Sequence, residues 1–409
     1  MQLRELNGAH LTYCTNVHPG ESLADVERAL AEPVLAVKAR VSQEEPFGVG
    51  LRLAARAAFE LEAPGRLEQF AEQLRARDLY CFTINGFPYG TFHGTRVKEQ
   101  VYLPDWLDAE RVRYTCSLAH SLSRLLPDGL QGSISTVPGC FRPVLEREAG
   151  AAPRMARAMI EVVSELVRIE RDTGKHIALA LEPEPHCFLE TSQEAVCFFE
   201  SELFNKQAAQ ILAGLSGLSA AQAEAAVRSH LGVCLDTCHA SVEFESPLEA
   251  LGSLRRAGIA IPKVQISAGL RVPQLSQGAL RALGGFAETV YLHQTVVKSA
   301  RGLTRYVDLP EALAAAAAGR AVAPDEWRVH FHVPIFEREL GPFESTQQDL
   351  LPLLAALGQD ALCPHLEVET YTWDVLPEKL RELPLTEAIA RELVFARRAL
   401  AGHAVETTS

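Results

Sequence analysis

Leu231-Gly232-Val233-Cys234-Leu235-Asp236-Thr237-Cys238-His239 is a short apolar run that ends in an acid, with a histidine three residues on. A run this short and this apolar reads as a strand buried on both faces, as in parallel sheets covered by helices. Asp236 and His239 then stand where the strand emerges into a loop. The stretch from His176 to Pro185 repeats the pattern, closing on Glu182 and Glu184, with Pro183 and Pro185 stopping regular pairing. Leu366-Glu367-Val368-Glu369-Thr370 is a third case. There Glu367 and Glu369 face the same side, because strand side chains alternate. A single Asp after a strand is as readily a helix cap. Three apolar strands each delivering a carboxylate to one end demand more, because buried acids cost several kcal/mol unless paired or metal-bound. The pattern predicts that Glu182, Asp236 and Glu369 hold a divalent metal together.

Along the chain, strand-like runs alternate with helical ones, which implies a parallel sheet. Eight strands are expected, centred on Leu11–Cys14, Val49–Leu53, Cys81–Ile84, Ser133–Thr136, Ile177–Leu181, Val233–Leu235, Val264–Ser267 and Leu366–Val368. Arg154–Arg171 carries Met155, Met159, Val162, Val163, Leu166 and Ile169 at helical spacing. Leu203–His230 reads as a longer helical insertion, broken near Gly214-Leu215-Ser216-Gly217. The connection from strand seven to strand eight covers about a hundred residues, far beyond an ordinary barrel connection. It holds Ala312–Ala318, a strong helix former, and Trp327–Pro334, which alternates His with apolar residues and reads as an extra strand near the rim. The expected fold is α/β: a (β/α)8 barrel over 1–402, with helical insertions, and a frayed tail over 403–409. A chain of 409 residues, 47% hydrophobic, is long for one domain but within reach of such a barrel.

The wording of these segments resembles the xylose isomerase-like TIM barrels. That superfamily includes sugar isomerases, ketose epimerases, inosose-processing enzymes and the endonuclease IV branch of DNA repair. The match rests on Glu182, Asp236 with His239, and Glu369. The whole chain most resembles the metabolite traffic protein EboE family, through His10-Leu11-Thr12-Tyr13-Cys14-Thr15-Asn16-Val17-His18-Pro19-Gly20, Asn85-Gly86-Phe87-Pro88-Tyr89-Gly90 and Ser133-Ile134-Ser135-Thr136-Val137-Pro138.

The resemblance implies one divalent ion held by Glu182, Asp236, Glu369 and the residue that ends strand seven. Many relatives have histidine there; the matching position here is Gln265, in Lys263-Val264-Gln265-Ile266-Ser267. An amide oxygen ligates a hard cation, but more weakly than imidazole ligates zinc. The departure favours Mn²⁺ or Mg²⁺, with Zn²⁺ left open. The resemblance also implies an isomerase or epimerase of a sugar- or cyclitol-like polyol. In it Glu182 and Glu369 act as paired acid and base, and the metal stabilises an enediolate. His239 would hold a substrate oxygen, and His332 and His330 would line the same mouth, unless that strand face is simply polar. Tyr13 and Asn16 after strand one, Asn85 after strand three, and His93 in the Gly-rich loop Tyr89–Gly94 are further substrate-side candidates. Each of these serves equally well as a cap or turn residue.

Two other readings stay open. The EboE resemblance concerns the traffic of a metabolite precursor, so a barrel that binds and hands over a small molecule without turning it over is the second. An endonuclease IV-like phosphodiesterase is remote, because strand two ends in Leu51-Arg52-Leu53-Ala54 and strand three at Asn85, without the histidines that branch needs. A net charge of −13 with no polybasic run argues against nucleic acid as a partner. Nine scattered cysteines form no disulfide framework and no CxxC zinc site. Neither a signal peptide nor a membrane-spanning run is legible, so a cytoplasmic location is the default. The expected partners are a small polyol or sugar-like substrate, a second copy of the chain in a homodimer, and other proteins of a pathway, without membrane insertion.

Overall fold

Each of the eight expected strands forms in the computed structural model, which describes residues 1–3, 6, 8–319, 325–360, 362–378, 381 and 383–403. After the short strand β1 (Gln2–Leu3), the barrel strands in chain order are β2 (Ala9–Tyr13), β3 (Phe47–Arg52), β4 (Leu79–Asn85), β5 (Gly132–Thr136), β6 (Ile177–Leu181), β7 (Leu231–Asp236) and β8 (Ala260–Ile266). The six strands that follow lie outside the barrel: β9 (Gly269–Val272), β10 (Thr295–Ser299), β11 (Gly302–Tyr306), β12 (Glu326–His332), β13 (Glu339–Leu340) and β14 (Phe343–Ser345). The last barrel strand is β15 (His365–Val368). The sheet runs β1-β2-β15-β8-β7-β6-β5-β4-β3, with every pair beyond β1 parallel.

Its two ends meet. Cys14, just past β2, bridges Gly50 of β3 in parallel, and Thr12 Oγ1 donates to the Gly48 carbonyl at 2.7 Å. Closure needs Gly50: a Cβ there would stand 1.8 Å from Glu367 Oε1 and 3.0 Å from the Tyr13 carbonyl. The result is a (β/α)8 barrel. Of the tail expected to fray, 404–409 lies outside the described residues.

The helices pack their apolar stripes on the outer face of the barrel. Ala151–Thr173 turns Met155, Met159, Val162, Val163, Leu166 and Ile169 inward and ends at Gly174, whose left-handed backbone (φ 72°) lets its N–H reach the Glu170 carbonyl. The insertion between β6 and β7 is helical as expected, as Lys206–Ser216 and Ala220–His230, with the break at Gly217.

The barrel interior is polar. Lys263 Nζ lies 2.5 Å from Glu367 Oε2, both side chains fully buried, and also donates to Ser135 Oγ at 3.2 Å. Nearer the strand starts, Ser133 Oγ pairs with Thr83 Oγ1 and His365 Nδ1, each at 2.8 Å.

The long connection between β8 and β15 is an antiparallel sheet of its own, ordered β11-β10-β12-β9-β14-β13. The extra strand read at Trp327–Pro334 is its β12; the other five strands carry no sequence signal strong enough to have been read. The β9–β12 ladder is irregular between Val329 and His332, a kink of the kind that re-aims side chains. It brings His330 and His332 over the carboxyl end of the barrel. Among the described residues no helix is long and apolar enough to cross a membrane. All nine cysteines are free.

Candidate metal centre

Asp236 fills the cap role its sequence position allowed. It caps the short helix Thr237–Val242, its Oδ1 accepting from the His239 backbone N–H at 2.9 Å and from the Ser267 hydroxyl at 2.7 Å. Its Oδ2 is buried with no hydrogen-bond partner. Glu182 lies one residue past β6, where Pro183 ends the strand, and its Oε2 is likewise buried without a partner. Glu369 follows β15, and its Oε1 accepts from Asn16 Nδ2 at 2.7 Å and Asn85 Nδ2 at 3.0 Å.

One oxygen from each of Glu182, Asp236 and Glu369 lies within 4.8 Å of the other two. Burial, then the charges of Glu369 and Asp236, push the Glu182 carboxyl well above its ordinary range. Burial, then Asp236 and Glu367, do the same to Glu369, with Lys263 and the Asn16 hydrogen bond pulling the other way. Three carboxylates aimed at one point repel as bare anions, and a divalent cation between them removes the repulsion.

His332 stands beside this group. Its Nδ1–H donates to the Glu369 carbonyl at 2.8 Å, which leaves a lone pair on Nε2, and Nε2 is buried without a partner. A ring nitrogen of His332 falls within 4.8 Å of ligand atoms of Asp236 and His239. Burial holds its pKa down to about 4, so the ring is neutral and ready to ligate. Gln265, the expected strand-seven ligand, shares a register with Asp236 and Glu367. Its amide oxygen accepts from the Cys234 thiol at 3.3 Å, and its Nε2 is buried without a partner.

A chain of polar contacts leads outward. His239 donates Nδ1–H to the Pro183 carbonyl at 3.0 Å, and its Nε2 lies 3.1 Å from His330 Nε2. His330 Nδ1 meets Gln294 Oε1 at 2.8 Å, and the Gln294 amide donates to Glu184 Oε1 at 3.1 Å. Tyr102 donates to the same Glu184 oxygen at 2.7 Å. Burial raises the Glu184 carboxyl and lowers the His330 imidazole.

Above these groups is a cavity of ≈ 510 Å³, its opening included. Asn16, Asn85, Glu182, Glu184, His239 and Glu369 form a polar floor. Phe87, Phe92, Tyr102, Tyr291, Leu292 and Tyr371 form an apolar wall. The roof is a joint of two loops: the N–H groups of Val97 and Lys98 both reach the Val290 carbonyl, and Lys98 Nζ contacts Asp308 at 2.6 Å.

The architecture is similar to that of several solved structures. One is a xylose isomerase-like TIM barrel protein from Mycobacterium smegmatis in complex with magnesium, at 12% identity over 97% of this chain and 98% of that one, with a TM-score of 0.49. Another is the IOLI protein with a binding zinc atom, at 13% identity over 97% and 100%, TM-score 0.45. A third is the probable 3-DHS dehydratase AsbF from Bacillus anthracis, at 11% identity over 94% and 97%, TM-score 0.45. No family model and no curated protein matches the chain.

The structure thus brings Glu182, Asp236, Gln265, Glu369, His239, His330, His332, Asn16 and Asn85 to one end of the barrel. Tyr13 and His93 do not line the cavity. Thr12 faces the barrel interior, so its neighbour Tyr13 faces away, and the Tyr13 hydroxyl lies 3.0 Å from His18 Nε2. In the Gly-rich loop, Phe92 lines the cavity, and His93 packs beside it with ring centroids 5.3 Å apart. Glu184 and Tyr371 were missed as site residues, although each lies two positions past a carboxylate that was read. Tyr102 and Gln294 sit in loops with no motif to mark them.

Proposed function

We propose that the chain is a divalent-metal-dependent isomerase or epimerase of a sugar- or cyclitol-like polyol, in a secondary-metabolite pathway of the EboE type. The observation that carries this reading is the convergence of Glu182, Asp236 and Glu369, with Glu182 Oε2, Asp236 Oδ2 and His332 Nε2 all buried and unpartnered. The donor set fits one divalent cation: three carboxylate oxygens suit Mn²⁺ or Mg²⁺, and the imidazole of His332 extends the range to Zn²⁺. His332, in place of Gln265, is the fourth ligand in this reading.

Bound there, the ion would supply Lewis-acid polarisation of a substrate carbonyl and its neighbouring hydroxyl. The residues do the rest. Glu369, raised by burial as Glu182 is but fixed in direction by the Asn16 and Asn85 amides, takes the proton from the carbon next to the carbonyl. Glu182, whose carboxyl is pushed up, returns a proton to the enediolate. Tyr102 and Gln294 orient Glu184 toward a substrate hydroxyl, and His239 holds another. The aromatic wall excludes water and stacks on the C–H face of the substrate ring.

Exchange of carbon-bound hydrogen is the test. The Mg²⁺-loaded protein is incubated in D₂O with ketoses and keto-cyclitols while proton spectra are followed. Deuterium entering next to the carbonyl, and lost in Glu369→Gln, is the expected result. The second reading, a barrel that binds and hands over its ligand, draws on the Cys234 thiol occupying the Gln265 amide. Saturable ligand binding without exchange would favour it and end the isomerase reading.

A further inference from the structure

At the opposite end of the barrel from the carboxylates, Glu170, His176 and His230 meet. Glu170 lies in the last turn of helix Ala151–Thr173, His176 immediately precedes β6, and His230 immediately precedes β7. Both rings have one nitrogen committed to a backbone carbonyl: His230 Nδ1 to Ile177 at 2.7 Å, and His176 Nε2 to Ser229 at 3.2 Å. A carbonyl only accepts, so those nitrogens carry the N–H of the neutral ring. The remaining two nitrogens then present lone pairs. Both face Glu170: His176 Nδ1 lies 3.1 Å from Oε1 and His230 Nε2 lies 3.0 Å from Oε2. The rings are stacked, with centroids 4.5 Å apart.

Two lone pairs against one carboxylate make no hydrogen bond. One proton on a ring or on Glu170 leaves the other lone pair unmet, and protons on both rings place two cations face to face, whereas one divalent cation satisfies all three groups. The separations of 3.1 and 3.0 Å fall a few tenths of an ångström short of the roughly 3.4 Å between tetrahedral ligands with bonds of about 2.1 Å, a gap that small rotations of part-exposed side chains close. We propose that Glu170, His176 and His230 form a second metal site, for Zn²⁺ or a similar borderline transition ion. Two imidazoles with one carboxylate select such an ion over Mg²⁺. The Glu170 side chain is 44% exposed and that of His176 21%, so an ion can enter and keep water ligands. Its effect is to tie the end of one helix to the starts of two barrel strands, so the ion is structural.

The site is independent of the rim and is tested in a chain whose rim is disabled. Asp236→Asn protein is dialysed against Zn²⁺ and analysed for bound metal, beside Asp236→Asn/Glu170→Gln and Asp236→Asn/His176→Gln. The expected result is about one zinc ion per chain in the first and none in the other two. Thermal unfolding should shift upward with Zn²⁺ in the first protein only. Zinc uptake equal in all three, or no uptake in Asp236→Asn, would overturn the proposal and leave an ion-paired His–Glu–His cluster. The same subtraction in the native background guards against misfolding: Glu170→Gln should lower the zinc count by about one while Mn²⁺ retention at the rim is unchanged. Failure of the rim reading shows separately, as Mn²⁺ retention that Asp236→Asn does not reduce.

Discussion

Asn16 Nδ2 donates to Glu369 Oε1 at 2.7 Å, across 353 residues of sequence. The amide follows the first barrel strand and the carboxylate the last, which are neighbours once the barrel closes. The bond stabilises the ionised carboxylate and fixes its direction, as outer partners of a metal ligand do. Asn16→Leu should weaken Mn²⁺ binding roughly 10–100-fold. Competition with a chelating indicator dye measures it, and an unchanged affinity would remove Asn16 from the account.

His332 and Gln265 compete for the role of fourth ligand in the proposed centre, and they differ in what already engages them. The imidazole has a buried lone pair with nothing to donate to it, whereas the Gln265 oxygen is already engaged by Cys234. His332→Ala is expected to cost roughly 10–100-fold in metal affinity, and Gln265→Met little. Isothermal titration of both variants decides; the reverse order would return the role to Gln265.

Glu392, on helix Leu385–Leu400, has a buried carboxyl that accepts from the Ile335 N–H at 3.2 Å and the Thr370 hydroxyl at 2.8 Å. Burial raises its pKa to about 7, from the ordinary 4.5. The folded chain therefore binds more protons than the unfolded chain between these values. Stability from this group is fully present below pH 4.5 and is lost as pH rises through 7. Glu392→Gln keeps an accepting oxygen without the charge. It should be more stable than the native chain at pH 8 by on the order of a few kcal/mol, with the gap closing toward pH 4.5. Urea unfolding at the two pH values checks the sign; a gap that widens on acidification would refute it.

The Lys263–Glu367 pair fills the barrel interior beneath the site, with both side chains fully buried. Breaking a buried pair by neutralising one partner strands the other. Glu367→Gln should destabilise the fold by about 3–5 kcal/mol, and Lys263→Met with Glu367→Leu together by less than either alone. Denaturant midpoints of these four variants supply the comparison, and additive losses would contradict it.

The barrel was legible because each strand is a short apolar run and three of them end in acids that burial tolerates only when paired or metal-bound. Glu182, Asp236 and Glu369 stand where their strand ends put them. Tyr13 fails by one position: side chains alternate, and Thr12 holds the inward place. His332 was read as a substrate contact; the ligand role proposed for it depends on which ring nitrogen the Glu369 carbonyl engages, and sequence carries no such information. Most of the sheet between β8 and β15 escaped the sequence reading. Its strands are short and antiparallel, and their exposed faces blur the apolar pattern; β11 is largely exposed. Tyr102 and Gln294 reach Glu184 only through long-range loop packing.

Elemental analysis tests the central claim most directly. The purified chain is loaded with Mn²⁺, dialysed, and compared with Glu369→Gln and Asp236→Asn. The account predicts about one Mn²⁺ per native chain, lost in both variants. A native chain that retains no Mn²⁺, or variants that retain as much as the native chain, would contradict a metal centre built from Glu182, Asp236 and Glu369.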